Sequence, residues 1–339
     1  MKIGFACKYM HADQNLHKKK LEEIERLYRV RTTTLRWLNA QTQIVAEQRL
    51  WDMLQHNIQA FYHLVSYVAT LPDELRMVRL GSDVLPLYTE PTWSRFWRQQ
   101  DVQDYCAALF SKVGDFAREK NVRLSMHPGQ FTVLASARDE VVKKSIEEFE
   151  YHVDVARWMG YGKQFQDFKI NVHISGKRGP QGIRDVLPQL SPEARNCLTI
   201  ENDEVSWGIE ASLELATSCA LVLDIHHHWV ATGEYIFPED DRFKRIMDSW
   251  RGVRPVIHYS VSRHSLLCDQ DPEKLPDFNL LLAQGIKRVQ LRAHSDYVWN
   301  RACNRWALAF ADFADIMVES KAKNLASIQL YQQWKEEKK

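Results

Sequence analysis

Short runs of aliphatic and β-branched residues recur along the whole chain, at Ile3–Ala6, Met77–Leu80, Val122–Met126, Phe168–His173, Leu198–Glu201, Leu221–Asp224, Pro255–Tyr259 and Asp315–Glu319. Most are short apolar, β-branched runs, as in Leu198-Thr199-Ile200-Glu201 and Leu221-Val222-Leu223-Asp224, the pattern of parallel strands buried on both faces. Between them the period lengthens. Trp51, Leu54, Ile58, Phe61 and Val65 return at three- and four-residue intervals over Thr42–Val68, and Val141, Ile146, Phe149 and Val153 behave similarly over Glu140–Trp158. Such spacing predicts amphipathic helices. Strand and helix alternating eight times predict an α/β fold with a parallel sheet, closed into a single (β/α)8 TIM barrel. Arg288–Leu291 would make a ninth strand. It is assigned instead to an insertion between strands seven and eight, because Ile316-Met317-Val318-Glu319 makes the better closing strand. No linker divides the chain, so residues 1–339 are expected to form one domain. Its last helix, about 325–339, ends in Lys/Glu-rich sequence and is expected to be a solvated surface helix.

Barrel topology gives the strand ends their meaning. All strands of such a barrel point the same way, so their C-terminal ends converge on one mouth. At or just after those ends stand His127, His173, Glu201, Asp224 with His227, His258 and Glu319, and His294 follows the run Arg288–Leu291 assigned to the insertion. Imidazole and carboxylate together are the ligand set of Zn, Mn and Fe, and a carboxylate bridges two ions where a neutral imidazole does not. A metal cluster at the mouth is therefore expected, with Glu201 as its bridge. Glu201 opens Glu201-Asn202-Asp203-Glu204, so Asp203 and Glu204 compete for the ligand role, although a solvated acidic loop explains those two equally well. In Asp224-Ile225-His226-His227-His228, a chain turning immediately after Asp224 folds His227 back toward the metal and leaves His226 or His228 to support it. One histidine alone is more often structural than a ligand; repetition of the pattern at His127, His173 and His258 raises the odds. His11, His17, His56, His63, His152 and His264 lie away from strand ends and are read as structural.

The loops beyond the ligands carry a second pattern. In His127-Pro128-Gly129-Gln130-Phe131, Pro and Gly set a tight turn that throws Gln130 and Phe131 outward. An amide beside an aromatic suits a probe inserted into a base stack, while turn chemistry alone favours an ordinary strand-to-helix turn. Lys177 and Arg178 follow His173, and Arg263 follows His258. Histidines trailed by cations suit an extended anionic substrate.

Composition narrows the classes. Apolar residues make up 45% and charged residues 26% of 339, which suits a soluble chain with a sizeable core. Net charge is +1, so attraction to a phosphate backbone must come from local clusters. Six cysteines without a CxxC pair exclude a zinc ribbon and suit reduced thiols. The apolar start is too short for a signal peptide and no run reaches membrane-spanning length, so a cytoplasmic protein without membrane contact is expected. No obligate protein partner is evident.

With these motifs in view the chain resembles the UV damage endonuclease family, relatives of endonuclease IV among the xylose-isomerase-like barrels. The matching segments run in order from Thr32-Thr33-Thr34-Leu35-Arg36-Trp37-Leu38 and Arg79-Leu80-Gly81-Ser82-Asp83 through Ser125-Met126-His127-Pro128-Gly129-Gln130-Phe131 and Ile200-Glu201-Asn202-Asp203. They continue through Asp224-Ile225-His226-His227-His228, His258-Tyr259-Ser260 and His294-Ser295-Asp296-Tyr297 to Met317-Val318-Glu319-Ser320-Lys321. The resemblance implies clustered divalent ions, usually Mn2+, with Zn2+, Mg2+ or Fe2+ as alternatives. It also implies cutting of damaged double-stranded DNA on the 5′ side of a UV photoproduct or other lesion, the step that begins excision repair. His127, His173, Glu201, Asp224, His227, His258, His294 and Glu319 look like the ligands, with Glu201, Asp224, His258 and Glu319 the residues of catalysis. Gln130 and Phe131 look like the pair that probes damaged bases, Phe131 standing where the family often has tyrosine.

This chain departs from the family at three positions. Val256 stands where a lysine, modified to a metal-binding carbamate in some members, is expected two residues before His258. Glu90 replaces a histidine after the Ser-Asp motif; it keeps ligand chemistry but alters the cluster's charge. Tyr9 stands in place of a lesion-contacting asparagine. Two other readings compete: a metal-dependent sugar isomerase or epimerase on the same barrel, and a lesion-binding protein that has lost catalysis, prompted by Val256 and Glu90.

Overall fold

The structure, a computed structural model, describes residues 1–338. Eight strands, β1 (Ile3–Ala6), β2 (Met77–Arg79), β3 (Arg123–Met126), β4 (Lys169–His173), β5 (Leu198–Glu201), β6 (Ala220–Val222), β7 (Val256–Tyr259) and β8 (Asp315–Val318), form one sheet in the order β6-β5-β4-β3-β2-β1-β8-β7. Every paired neighbour is parallel. The seam between β6 and β7 is drawn together at the mouth, where the His258 amide donates to the Leu223 carbonyl at 2.9 Å and Asp224 bridges to His258. Two expected ligands thus sit where the barrel closes.

The expected strands are present, several of them trimmed. β6 stops at Val222 because Asp224 turns to cap the helix Ile225–Thr232, its Oδ1 accepting from the His227 amide at 2.7 Å. Arg288–Leu291 is a single helical turn outside the sheet. The long helices run Gln43–Ala69 and Asp139–Trp158, close to expectation. The helix Asn324–Glu337 departs from it. Rather than lying solvated, it buries Ala326 and Leu330 completely and packs along β1, covering the join between the first and last strands. Gln332 and the charged end are its exposed positions, and Lys339 lies outside the described residues.

Side-chain alternation stacks the barrel interior in layers. Met77, Val222, Val256 and Met317 form a small apolar cluster with Ala220 and Trp250. Each of those four sits two residues before Arg79, Asp224, His258 or Glu319, and so shares that residue's strand face. The mouth therefore has an apolar floor. Packing there is tight: a Cβ on Gly4 would come within 2.8 Å of Met77. Among the described residues no helix is long and apolar enough to cross a membrane.

Candidate metal centre

Glu201, at the end of β5, is 1% exposed and lies at the centre of the mouth. On one side of its carboxylate, Oε2 is 3.6 Å from His127 Nε2 and 3.9 Å from His173 Nε2. On the other, Oε1 is 3.0 Å from His258 Nδ1 and 3.5 Å from His227 Nδ1. Asp224 Oδ2 stands 3.6 Å from His227 Nδ1, and Glu319 Oε1 stands 3.3 Å from His258 Nδ1. Two sets of ligand atoms, His127/His173/Glu201 and Glu201/Asp224/His258, each fall within 4.8 Å of one another. Glu201 belongs to both, as a bridging carboxylate must.

Backbone contacts fix how several rings are presented. His127 Nδ1 donates to the Pro128 carbonyl at 2.8 Å, leaving Nε2 as the acceptor turned toward Glu201. His294 Nδ1 donates to the Glu319 carbonyl at 2.6 Å, which frees Nε2, and its ring centroid lies 6.5 Å from that of His227. Polar partners behind a ligand hold its tautomer and orientation in this way.

The charge at the mouth does not balance. Glu201, Asp224 and Glu319 converge there, and the cation in direct contact with one of them is Arg79, paired with Glu319. Burial would raise Glu201, but the neighbouring imidazoles of His258, His173 and His127 hold it well below the ordinary glutamate range. Burial likewise opposes ionisation of Glu319, and the Arg79 guanidinium beside it prevails. The strain appears at their neighbours. Burial pushes Asp224 well above its ordinary value, with the charges of Glu201 and Glu319 adding to the effect. His227 is buried too, yet Asp224, Glu201 and Glu204 drive it up to about 10. The two groups share one proton, which the site takes up where it lacks positive charge. Asp224 Oδ2 is also buried without a hydrogen-bond partner. An orphaned carboxylate oxygen amid imidazoles and two further carboxylates is a donor set that fits divalent ions of the Mn2+, Zn2+ or Fe2+ type.

The remaining expected residues divide. Gln130 and Phe131 project from the mouth, Phe131 86% exposed, and Gln130 joins His127, His173, Asp203 and Glu204 around a cavity of about 180 Å³. Lys177 and Arg263 are exposed; Arg178 is exposed as well but pairs with Asp139 at 2.6 Å. Glu90 is employed elsewhere: its Oε2 accepts from the amides of Thr92 and Trp93 at 2.8 and 2.9 Å, capping its own turn, and it belongs to neither ligand set. Tyr9 is packed in an aromatic group, 4.3 Å from Tyr28 and 4.7 Å from Tyr67 between ring centroids. His226 Nε2 donates to Ser262 Oγ at 3.1 Å, its ring centroid 5.6 Å from that of His294.

Sequence reasoning missed four contributors. Asn171 donates to Glu201 Oε2, and Lys169 Nζ lies 3.0 Å from His258 Nε2, where burial lowers it to about 7. Arg79 and Arg292 pair with Glu319 and Glu204. The available signal was the alternation Lys169, Asn171, His173, a polar inward face on a strand whose other face is apolar.

Known proteins share the family and the fold of this chain. The sequence profile of the family described as UV-endonuclease UvdE matches residues 1–339. The chain is 25% identical over 303 residues to the UV DNA damage endonuclease of Bacillus thuringiensis subsp. konkukian, covering 85% of this chain and 83% of that protein. It is 28% identical over 270 residues to the UV-damage endonuclease of Schizosaccharomyces pombe, covering 76% of this chain and 40% of that one. Among solved structures, that of SacUVDE superposes with a TM-score of 0.74 at 24% identity, over 100% of this chain and 99% of that one. Endonuclease IV from Thermus thermophilus shares the fold at a TM-score of 0.54 and 14% identity, over 82% and 94%.

Proposed function

The chain belongs to the UV-endonuclease family, and from that premise we propose that it is a DNA repair endonuclease. In this reading it hydrolyses the backbone of a damaged duplex on the 5′ side of a UV photoproduct or related lesion, using divalent ions held at the barrel mouth. The observation that carries this reading is the position of Glu201, common to two ligand sets and flanked by the orphaned Asp224 oxygen.

His127, His173 and Glu201 would hold one ion and Glu201, Asp224 and His258 another, with His227, His294 and Glu319 completing the shell. When bound, such ions supply Lewis acidity at phosphorus and make water a competent nucleophile near neutral pH. The protein's own groups do the rest. Asn171 and Arg79 lock Glu201 and Glu319 from behind, so the carboxylates do not reorganise as charge develops. Lys177 and Arg263, exposed beyond the rim, draw the phosphate backbone over the mouth. Phe131 and Gln130 enter the stack beside the lesion, where damaged bases are cheaper to open, so selection follows deformability rather than base sequence. Basic loops and a projecting aromatic have no task on a small sugar, so the isomerase reading ranks second.

The test is nicking of a duplex carrying one cyclobutane dimer or 6-4 photoproduct, with Mn2+, Mg2+ or chelator, against an undamaged control. Manganese-dependent cutting immediately 5′ to the lesion is expected. Turnover of ketoses with no cutting would transfer the protein to the isomerase reading, and lesion binding without cutting under any ion would make it a binding protein.

A further inference from the structure

Lys169 is the buried amine for which the metal reading above supplies no task. It is 2% exposed and shares an inward strand face with Asn171 and His173, four residues below the latter. Among the described residues the hydrogen-bond partner of Nζ is His258 Nε2, at 3.0 Å. It forms none of the ion pairs that Arg79, Arg123 and Arg254 form elsewhere in or below the barrel. A buried amine without a contacting carboxylate loses its hydration and gains no ion pair in return, so its presence calls for a reason outside stability.

We propose that Lys169 is a positioning residue of the metal centre: from beneath the mouth its amine accepts the Nε2–H of His258 and so keeps the Nδ1 lone pair turned toward Glu201 and Glu319, where an ion would sit. The inference rests on reading the mouth as a metal site. Half a turn of the imidazole about its Cβ–Cγ bond would replace Nδ1 with a carbon, and nothing in ring shape opposes that turn. Polar contacts at the two nitrogens do. On the inner side Nδ1 meets carboxylates at 3.0 and 3.3 Å, groups that an arriving ion would engage. Lys169 is the contact on the outer side, independent of the ion. Ligating histidines are ordinarily held from behind by a carboxylate or carbonyl. Here an amine on the opposite wall of the barrel reaches across to do it.

Simple Coulomb repulsion makes the contrary prediction, which renders the idea decidable. A cation beneath a cation site repels incoming ions, so if charge alone mattered, deleting Lys169 would tighten metal binding. If orientation of His258 dominates, deletion weakens it, by roughly 10- to 100-fold for loss of an outer partner. Lys169→Met removes the hydrogen-bonding atom and keeps most of the length; Lys169→Gln retains an atom able to meet Nε2. Chelated wild type and both variants would be titrated with MnCl2 by calorimetry, and their Co2+ visible spectra compared. The expected result is Mn2+ binding roughly 10- to 100-fold weaker in Lys169→Met with an altered Co2+ spectrum, partial recovery in Lys169→Gln, and unfolding temperatures no lower than that of wild type. Unchanged or tighter Mn2+ binding in Lys169→Met overturns the proposal. Should that variant fail to fold, Lys169→Gln decides alone: intermediate affinity supports the role, and wild-type affinity with a wild-type Co2+ spectrum refutes it. Failure of the wild type itself to bind Mn2+ or Co2+ would show that the metal reading had failed, and this inference with it.

Discussion

The two ends of the barrel both gather charge, and they settle it differently. At the bottom, Asp315 is 3% exposed and accepts from Arg123 Nη1 at 2.7 Å, Arg254 Nε at 2.9 Å and the Lys2 amide at 2.7 Å. Each of its oxygens has a partner, and both guanidiniums also reach backbone carbonyls. At the mouth, three carboxylates converge with one contacting arginine, an orphaned oxygen and a histidine driven up to about 10. Polar content alone therefore does not mark the functional end. Incompleteness does: the bottom network is finished within the chain, and the network at the mouth is not.

The sharpest way to break this contrast is at Glu201. Glu201→Gln keeps the shape and Asn171's contact but removes the charge shared by both ligand sets. Nicking should fall by about 1,000-fold or more, on the order of 4 kcal/mol of barrier, while circular dichroism and unfolding temperature hold. Full activity in that variant would remove the mechanism. The bottom end should respond in the opposite currency. Asp315→Asn leaves Arg123 and Arg254 without their carboxylate and should cost about 2–3 kcal/mol in denaturant unfolding, the partial exposure of both arginines reducing the full penalty of a broken buried pair. Mn2+ affinity of the remaining folded protein should not move; a matching loss would mean the two ends are coupled.

Titration sharpens the same contrast. In the metal-free protein His227 is raised from 6.5 to about 10. Its protonated ring therefore contributes stability that is complete below pH 6.5 and is lost as the pH rises through about 10. An ion competes with that proton, so Mn2+ affinity should climb about tenfold per pH unit across the window, as calorimetry at several pH values would show. A flat profile would mean that no proton is displaced. The smallest effect belongs to Glu90. Glu90→Ala should lower stability by about 1 kcal/mol through loss of its cap and leave Mn2+ stoichiometry intact; loss of an ion would return Glu90 to the ligand set.

Strand ends were legible because a parallel barrel turns one-dimensional position into a shared mouth: His127, His173, Glu201 and Asp224 were found by asking where each apolar run stops. Residues acting from within a strand were not. Lys169 and Asn171 look like interruptions of β4 until His258 and Glu201 are placed opposite them, and no local pattern names a partner on another strand. Glu90 and Tyr9 are engaged by their own surroundings. Each sits where the resemblance puts a working residue, but backbone amides two and three residues away satisfy Glu90, and neighbouring rings occupy Tyr9. The last helix was misjudged because its charged tail dominates the sequence while Ala326 and Leu330, buried against β1, do not form a long apolar stripe.

The central claim is that cations complete the mouth. Crystals soaked in MnCl2 and measured at the manganese absorption edge test it directly. The account predicts anomalous peaks on both sides of Glu201, one beside His127 and His173 and one beside Asp224 and His258. Ions bound elsewhere with the mouth left bare, or no ion at concentrations that support cutting, would contradict it.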